Sequence, residues 1–444
     1  MPARMPWGRT FLLGFGFFGI TLLWTLYDAF VPILLSSFAL AADRIGFLMT
    51  MDNWANLFVQ PYVGARSDRT RTRWGRRYPY IIVGAPLAAI GAMLIPLAAA
   101  RALPLLVGAM FIMTFSMAIF RSPTVALLGD VFPSELRSKA NGVINFMGVL
   151  AGVIALLAVG RLFDVNPAYP FWIGAVGMLV VLGLLILLVR EPRAQEPERT
   201  TAEGTNPGFL STVKDLGVTV KSLYTSTDRS TLFMLTAILT WSVGIGALQT
   251  FFTLYGREEL GLTPGTAGAL LSFYPLSGLL FAIPGGYLGT YVGRRRTIIL
   301  CLVVVALLLL AFLSIPAGPI QGAGGFQLLA PATWFADPTL RTIILLLMGA
   351  GGAMTIITVN SLPMLFDVTP GGRIGNATGL YYLFGSVASI IGPPLAGWII
   401  KVTGTYRNVF IFATVFVFVG LFFMAMVRGG DPVAQEAREQ PVPA

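Results

Sequence analysis

Residues 59–79 read Val-Gln-Pro-Tyr-Val-Gly-Ala-Arg-Ser-Asp-Arg-Thr-Arg-Thr-Arg-Trp-Gly-Arg-Arg-Tyr-Pro. Six arginines (Arg66, Arg69, Arg71, Arg73, Arg76 and Arg77) crowd into a short polar segment between the apolar runs 45–63 and 79–99. Alone, such a cluster suggests nucleic acid. Its surroundings point elsewhere. The chain has 444 residues, 56% hydrophobic and only 11% charged, and its mean hydropathy is +0.78. A soluble domain carries about 25% charged residues, so this composition cannot coat a water-exposed surface. A soluble enzyme, a nucleic-acid-binding domain and a disordered chain are excluded. Histidine is absent and the one cysteine, Cys301, lies in an apolar run. That excludes His/Cys metal sites, a disulfide scaffold, a catalytic histidine and a CxxC redox pair.

Crossing a bilayer takes roughly 20 apolar residues. Twelve such spans are expected: 10–38, 45–63, 79–99, 104–127, 140–160, 170–189, 231–255, 265–287, 297–315, 341–362, 376–400 and 408–427. They are read as helices, because barrel strands would alternate apolar and polar positions. The first span is too long for a signal peptide and is expected to stay. Twenty-two of the 30 basic residues fall in segments on one side of this layout and seven on the other, with Arg121 inside a span. The positive-inside rule then places both termini in the cytoplasm and the arginine cluster in a cytoplasmic loop, where topology is its better explanation.

Residues 191–230 break the pattern. EPRAQEPERTTAEGTNPG reads as a flexible linker, and 209–224 has helical apolar spacing suited to the membrane surface. The domains expected are a six-helix bundle (1–190), the linker (191–230), a second six-helix bundle (231–428) and a cytoplasmic tail (429–444). The halves resemble each other. Laying Asp130 on Asp367 matches seven of 22 ungapped positions, among them Pro133/Pro370 and Gly142/Gly379. Gly64-x3-Asp68-Arg69…Gly75-Arg76-Arg77 likewise corresponds to Gly286-x3-Thr290…Gly293-Arg294-Arg295. A 6+6 repeat around a central linker is the architecture of a rocking carrier with its site at the midplane.

The loop at 64–77 resembles the signature between helices 2 and 3 of the major facilitator superfamily. The longer run Val59-Gln60-Pro61…Gly64-x2-Ser67-Asp68-Arg69-x3-Arg73-x-Gly75-Arg76-Arg77-x-Pro79, with Pro123-x2-Ala126-Leu127-Leu128-x-Asp130, is similar to the sucrose–proton symporters, allied to the glycoside–pentoside–hexuronide:cation symporters. The resemblance implies an all-α integral membrane fold of twelve transmembrane helices in two six-helix pseudo-repeats, alternating access, and cation-coupled uptake of a glycoside. There are departures. The family's proton-linked acid falls on Thr114 and its arginine on Val125. The cation-binding acids of melibiose-type relatives fall on Asn56 and Gln60, and their sugar-gripping acids on Thr21 and Met117. Neither site transfers intact, so sugar and ion stay open.

Charges inside the membrane supply the replacements. Such a group costs about 2.5–3.5 kcal/mol at the bilayer centre and is a functional candidate by default. Asp28, Asp52 and Arg121 qualify. At 1.5 Å per residue the two carboxylates lie at similar depth below the outer surface, roughly 10–15 Å. As neighbours they would share a proton or hold a cation; otherwise each is solvated in an outer cavity or meets a helix end. Asp52, Asn56 and Gln60 share one helix face, beside Asn53, and either line the site or bond to neighbouring helices. Arg121 grips substrate, pairs with a released carboxylate, or snorkels to the interface.

Helices 1, 4, 7 and 10 line the cavity in folds of this type. The resemblance therefore adds Trp24, Tyr27, Gln249 and Asn360, with Asn145, Tyr274, Tyr381 and Tyr382 from helices 5, 8 and 11, a polar and aromatic mix suited to a sugar. Asp68, Arg69, Arg76, Arg77 and Asp130 are read as gating groups, with the start of helix 11 after Pro370-Gly371-Gly372 as a partner for Asp68. Thr290 replaces the acid in the second half, so the latch is expected to be asymmetric. The glycines of helices 5 and 8 (Gly142, Gly148, Gly152, Gly278, Gly285, Gly286) are read as close packing.

Gly14-Phe-Gly16-Phe-Phe-Gly19 lies within a span with no preceding strand and is not a dinucleotide site. No GxxxxGK[ST] is present. The expectation is a non-enzymatic, monomeric secondary transporter in the plasma membrane, a bacterial inner membrane. It moves a sugar with H+ and needs no cofactor. The alternatives are Na+ coupling, efflux of amphipathic compounds and a non-transporting sensor.

Overall fold

The computed structural model describes residues 7–131, 134–189, 229–320, 335, 337–369 and 374–429. The linker, its surface helix at 209–224, the tail from residue 430, most of the 316–340 loop and Pro370-Gly371-Gly372 lie outside the described residues. Among the described residues the regular structure is all-helical. In order run α1 (Trp7–Ser36), α2 (Ala42–Leu48), α3 (Met51–Arg69), α4 (Tyr78–Ala99), α5 (Leu103–Val131), α6 (Ser134–Ile154) and α7 (Ala168–Leu188). Then come α8 (Ser230–Leu260), α9 (Pro264–Leu271), α10 (Phe273–Val292), α11 (Arg294–Ala311), α12 (Pro338–Val368), α13 (Ile374–Thr403) and α14 (Asn408–Met426).

These helices give the twelve-span layout. Eleven stretches among the described residues are long and apolar enough to cross a bilayer. The twelfth crossing, α2 with α3, falls short because Asp52, Asn53, Asn56, Gln60, Arg66, Asp68 and Arg69 load α3 with polar groups. The second span is not one continuous helix, as the sequence suggested. It is interrupted at Met49–Thr50. The eighth is interrupted at Ser272, just ahead of Pro275, whose missing N–H leaves a carbonyl one turn back without its partner. At the register that lays Gly64 on Gly286, Thr50 falls on Ser272, so both halves break at the same place. The fifth span ends in a wide turn (Ala155–Val159) and a tight one (Gly160–Asp164). Asp337 caps α12, accepting from Thr339 N and Leu340 N at 2.7 and 3.0 Å.

The chain forms two compact units, and they do not meet at a single point in sequence. One holds Met1–Leu40, Leu48–Thr212 and Thr263–Ser272; the other holds Ala41–Phe47, Val213–Leu262 and Phe273–Ala444. In the first unit α4 and α3 pack along α5, and α1 along α6 and α7. Within it Asp164 holds the start of α9: Oδ1 accepts from Gly265 N at 2.8 Å and Oδ2 from Thr263 Oγ1 at 2.7 Å. In the second unit α10 and α11 pack on α12, and α8 on α13 and α14. There α2 lies on α13 in backbone contact. A Cβ at Gly46 would stand 2.3 Å from Pro393 O, and one at Gly397 2.3 Å from Ala42 O. Lys401 Nζ donates to Asp43 Oδ2 across this crossing at 2.8 Å.

The glycines of the fifth and eighth spans, on α6 and α10, are not uniformly tight. A Cβ at Gly285 would stand 2.8 Å from Ile356, whereas one at Gly148 or Gly152 would make an ordinary contact with Thr21 or Thr25, and one at Gly142 would meet nothing among the described residues within 4 Å.

Candidate functional site

The charged residues inside the membrane gather in the first unit. α5 packs on both α1 and α3 and carries Arg121, which is exposed. Its Cζ lies over the Trp24 ring, 5.6 Å from the centroid. Trp24 in turn faces Tyr27, with ring centroids 6.4 Å apart. Asp28, on the same helix, is half-buried and feels the charges of both Asp52 and Arg121. Arg121 also acts on Asp52. Asp52 is 5% exposed and lies in the first turn of α3, where its own backbone N–H and that of Asn53 point at the carboxylate. A helix start suits an anion. Asn53 Nδ2 donates to Asp52 Oδ1 at 2.9 Å. Two carboxylates, a guanidinium and an indole face thus lie within electrostatic reach of one another.

The rest of the α3 stripe is satisfied locally, because Gln60 Nε2 donates to Asn56 Oδ1 at 2.7 Å. Asn145 is exposed on α6. In the second unit Gln249 is exposed on α8 and Tyr274 is half-buried in the first turn of α10. Asn360 is a brace: buried at 3% exposure, it donates from Nδ2 to Gly285 O and Ile356 O, both at 2.9 Å. Tyr381 shares a hydrogen bond with Ser361, 3.1 Å between oxygens, and meets the exposed Tyr382 edge-on.

The residues read as gating groups form a compact network in the first unit. Arg76 pairs with Asp130. Arg77, 4% exposed, pairs with Asp68, donates from Nε to Asp130 Oδ2 at 3.0 Å and from Nη1 to Ser67 Oγ at 2.5 Å. Burial pulls the Arg77 pKa down, but Asp130 and Asp68 more than offset it and hold the value above the ordinary arginine range. Asp68 thus has a partner inside its own unit. Arg69 is exposed. The second unit repeats one element of the network, Arg294 with Asp367. Gly75 and Gly293, one residue before each arginine, both take positive φ (108° and 99°), a conformation that favours glycine. Each following basic segment is tied to the end of the last helix of its half: the Tyr78 hydroxyl donates to Val189 O, and Arg295 Nη2 to Ala425 O at 2.7 Å.

Sequence reasoning did not single out the Asp164–α9 and Asp43–Lys401 contacts. A signal for the first was legible in Thr263-Pro264, an N-cap residue followed by proline, and Thr263 indeed caps α9. Nothing in the spacing points to its partner about a hundred residues away.

A twelve-span, two-repeat membrane fold with charges gathered at mid-span defines a carrier. The family model of the Major Facilitator Superfamily matches residues 13–322 and 257–443, and the chain belongs to that superfamily. It is 24% identical to the "Hexuronate transporter" of Bacillus subtilis over 71% of each chain. It is 26% identical to "Monocarboxylate transporter 13" of Rattus norvegicus over 89% of this chain and 82% of that one. Among solved structures it shares its fold with a bacterial homolog to the human lysosomal transporter Spinster (TM-score 0.67, 14% identity, 100% of both chains). The nucleoside transporter NupG in its D323A form matches similarly (TM-score 0.68, 16% identity, 95% of this chain and 100% of that one). The protein is a multi-pass membrane transporter, and its cargo is a small molecule.

Proposed function

We propose that the chain is a proton-coupled symporter that imports a sugar or glycoside by alternating access, of the kind represented by the sucrose–proton and glycoside–pentoside–hexuronide:cation symporters. The observation that carries this is the cluster of Asp28, Asp52 and Arg121. Two carboxylates within reach of one another cannot both stay ionised at low cost, so one takes up a proton. Arg121, stacked on Trp24, is placed to bind hydroxyls in pairs while the indole covers a sugar's C–H face. In this reading a proton entering Asp28/Asp52 removes a counter-charge from Arg121 and turns the guanidinium toward substrate. The protein acts as a monomer in a bacterial inner membrane, with both termini in the cytoplasm, as the asymmetry of basic residues indicates.

A second reading has an acidic sugar as cargo. It is favoured by the exposed Arg121 guanidinium, which matches a carboxylate fork, and by the similarity to a hexuronate transporter. Both readings meet one test. The purified full-length chain is placed in proteoliposomes holding a pH-sensitive dye, and sucrose, maltose, melibiose, glucose and glucuronate are added in turn, with and without Na+. Internal acidification on adding a neutral sugar supports the first reading, and a response to glucuronate alone supports the second. Uptake that needs Na+ and moves no protons turns Asp28/Asp52 into a cation site. Silence across the panel favours efflux or sensing.

A further inference from the structure

Both halves join their second and third spans with the same device. A glycine of positive φ, Gly75 or Gly293, precedes an arginine paired with an aspartate, Arg76 with Asp130 or Arg294 with Asp367. The first half takes more chain to do it. Gly64 to Gly75 is eleven steps and Gly286 to Gly293 is seven, so with Asp68 laid on Thr290 the surplus is four residues, Arg71-Thr72-Arg73-Trp74. The second half closes the connection without them. Topology asks for a basic excess on this side, but it does not ask for an inserted turn carrying an indole.

The insertion is held in one shape. Thr72 Oγ1 donates to Gly75 O at 2.6 Å and accepts from Trp74 N at 3.3 Å, and Gly75 N donates to Thr72 O at 3.1 Å. Just ahead of it, Thr70 Oγ1 donates to Arg66 O at 3.0 Å and shares a hydrogen bond with the Tyr80 hydroxyl at 2.8 Å, which ties the loop to the start of α4. The turn leaves Trp74 50% exposed and sets Arg73 Cζ over its ring, 5.4 Å from the centroid. Arg66, Arg69 and Arg71 are exposed beside it. None of these four arginines makes an ion pair among the described residues, because the acids at hand are taken: Asp68 by Arg77, and Asp130 by Arg76 and Arg77. Like charges one helical turn apart, as at Arg66 and Arg69, repel. An anion from outside the chain relieves them.

Trp74 indicates where that anion sits. It stands four residues before the apolar span that begins at Tyr78, the depth at which an indole finds an apolar bed for its ring and a wet partner for its N–H. A phospholipid meets both needs, with its phosphate for the guanidiniums and its glycerol and upper acyl carbons for the ring. We infer that Arg71-Thr72-Arg73-Trp74, with Arg69, is a binding site for the headgroup of an anionic phospholipid in the leaflet on the basic side of the protein. A zwitterionic lipid fits less well, because it carries a cation of its own into the patch. Clustered arginines next to a span draw anionic lipid by their summed charge. The site uses none of Asp28, Asp52 and Arg121 and does not depend on the cargo.

Trp74 is its own reporter. The full-length protein is placed in phosphatidylcholine vesicles with increasing fractions of phosphatidylglycerol brominated on its upper acyl chain, and the Trp74→Phe spectrum is subtracted to isolate the emission of Trp74. The control carries the bromine on phosphatidylcholine at the same fractions. Quenching by the brominated anionic lipid is expected to saturate early, while the control quenches only in proportion to its fraction. Arg71→Gln with Arg73→Gln leaves Arg66, Arg69, Arg76 and Arg77 to hold the topology. It is expected to raise the phosphatidylglycerol fraction for half-maximal quenching by about tenfold or more. Equal quenching by the two brominated lipids overturns the site, as does a native response in the double variant. Relief of the quenching by inorganic phosphate, beyond that given by sodium chloride of the same ionic strength, overturns the lipid in favour of a free anion. No quenching by either lipid places the loop in water and overturns it as well.

Discussion

Arg121 lies over the indole of Trp24, its Cζ 5.6 Å from the ring centroid. The contact gives a charge in mid-membrane a polarisable surface to rest on, and a cation–π pair of this kind is worth about 0.5–2 kcal/mol. Trp24→Leu is therefore expected to weaken substrate affinity by about 2- to 30-fold. Arg121→Ala is expected to weaken it by on the order of 100-fold, because hydrogen bonds to a charged donor contribute about 1.5–3 kcal/mol each. Arg121→Lys falls between, since the ammonium keeps the charge but loses the planar fork. Calorimetric titration with the sugar that moves protons in the panel measures all three. Native affinity in Arg121→Ala would assign this residue to structure or gating.

Asp52 sits at the start of α3 with Asn53 bonded to its carboxylate at 2.9 Å. Asp52→Asn keeps the shape and removes the titration. It is expected to abolish uphill accumulation while leaving exchange of labelled for unlabelled substrate measurable. Accumulation at the native level would remove Asp52 from the coupling step.

The repeated Arg–Asp pairs differ in burial. Asp130 and Arg77 have side chains 13% and 5% exposed, whereas Arg294 and Asp367 are 26% and 31% exposed. Breaking a buried pair strands a charge and costs about 3 kcal/mol or more, while an exposed pair returns about 1 kcal/mol or less. Asp130→Asn is expected to lower the melting temperature in detergent well beyond Asp367→Asn. Equal losses would show that burial does not set the difference.

Gly289 tests the brace made by Asn360. A Cβ there would stand 1.7 Å from Asn360 Oδ1, and the amide cannot withdraw without giving up its bonds to Gly285 O and Ile356 O. Gly289→Ala is expected to cost about 2–3 kcal/mol, from overpacking together with the loss of a buried hydrogen bond. Adding Asn360→Ala should recover part of the loss in a thermal-melt double-mutant cycle. Strict additivity of the two would show that they do not interact.

Lys401 gives a pH-dependent contribution. Its hydrogen bond to Asp43, the largest influence on that acid, holds the Asp43 pKa below the ordinary carboxylate value. A carboxylate whose pKa falls on folding adds stability above its unfolded pKa of about 3.9 and loses it as the pH drops through the folded value. The melting-temperature gap between native protein and Lys401→Met should be constant from neutral pH down to about 5 and close below about 4. A gap independent of pH would mean that the lysine acts through packing alone.

Much of the fold was legible before any coordinates. Mean hydropathy, span count and side-to-side arginine bias follow from the bilayer, which imposes length and apolarity on each crossing. Even the polar second span was found, because its neighbours and the Gly64–Arg77 loop bound it on both sides. The candidate site was legible only in part. Asp28, Asp52 and Arg121 stand out because charge is rare inside a span, and that rarity carries no distance. Asn56 and Gln60 look like site residues by the same reasoning, yet they bond to each other at 2.7 Å. Asn360 likewise reads as cavity-lining, and both of its bonds go to backbone carbonyls.

What the sequence determined by itself is what short-range physics writes into it: twelve crossings, because each needs its own run of about 20 apolar residues, and two related halves, because the repeats survive as Asp130/Asp367 and Gly75/Gly293. Tertiary structure alone decided the partners. Asp130 meets Arg76 and Arg77 from more than fifty residues away. Ala41–Phe47 belongs with the second unit and Thr263–Ser272 with the first. The Tyr27 hydroxyl is buried with no hydrogen-bond partner among the described residues. Helical periodicity places a residue on a face of its own helix, but which face of another helix it meets depends on packing between helices, and no local pattern records that.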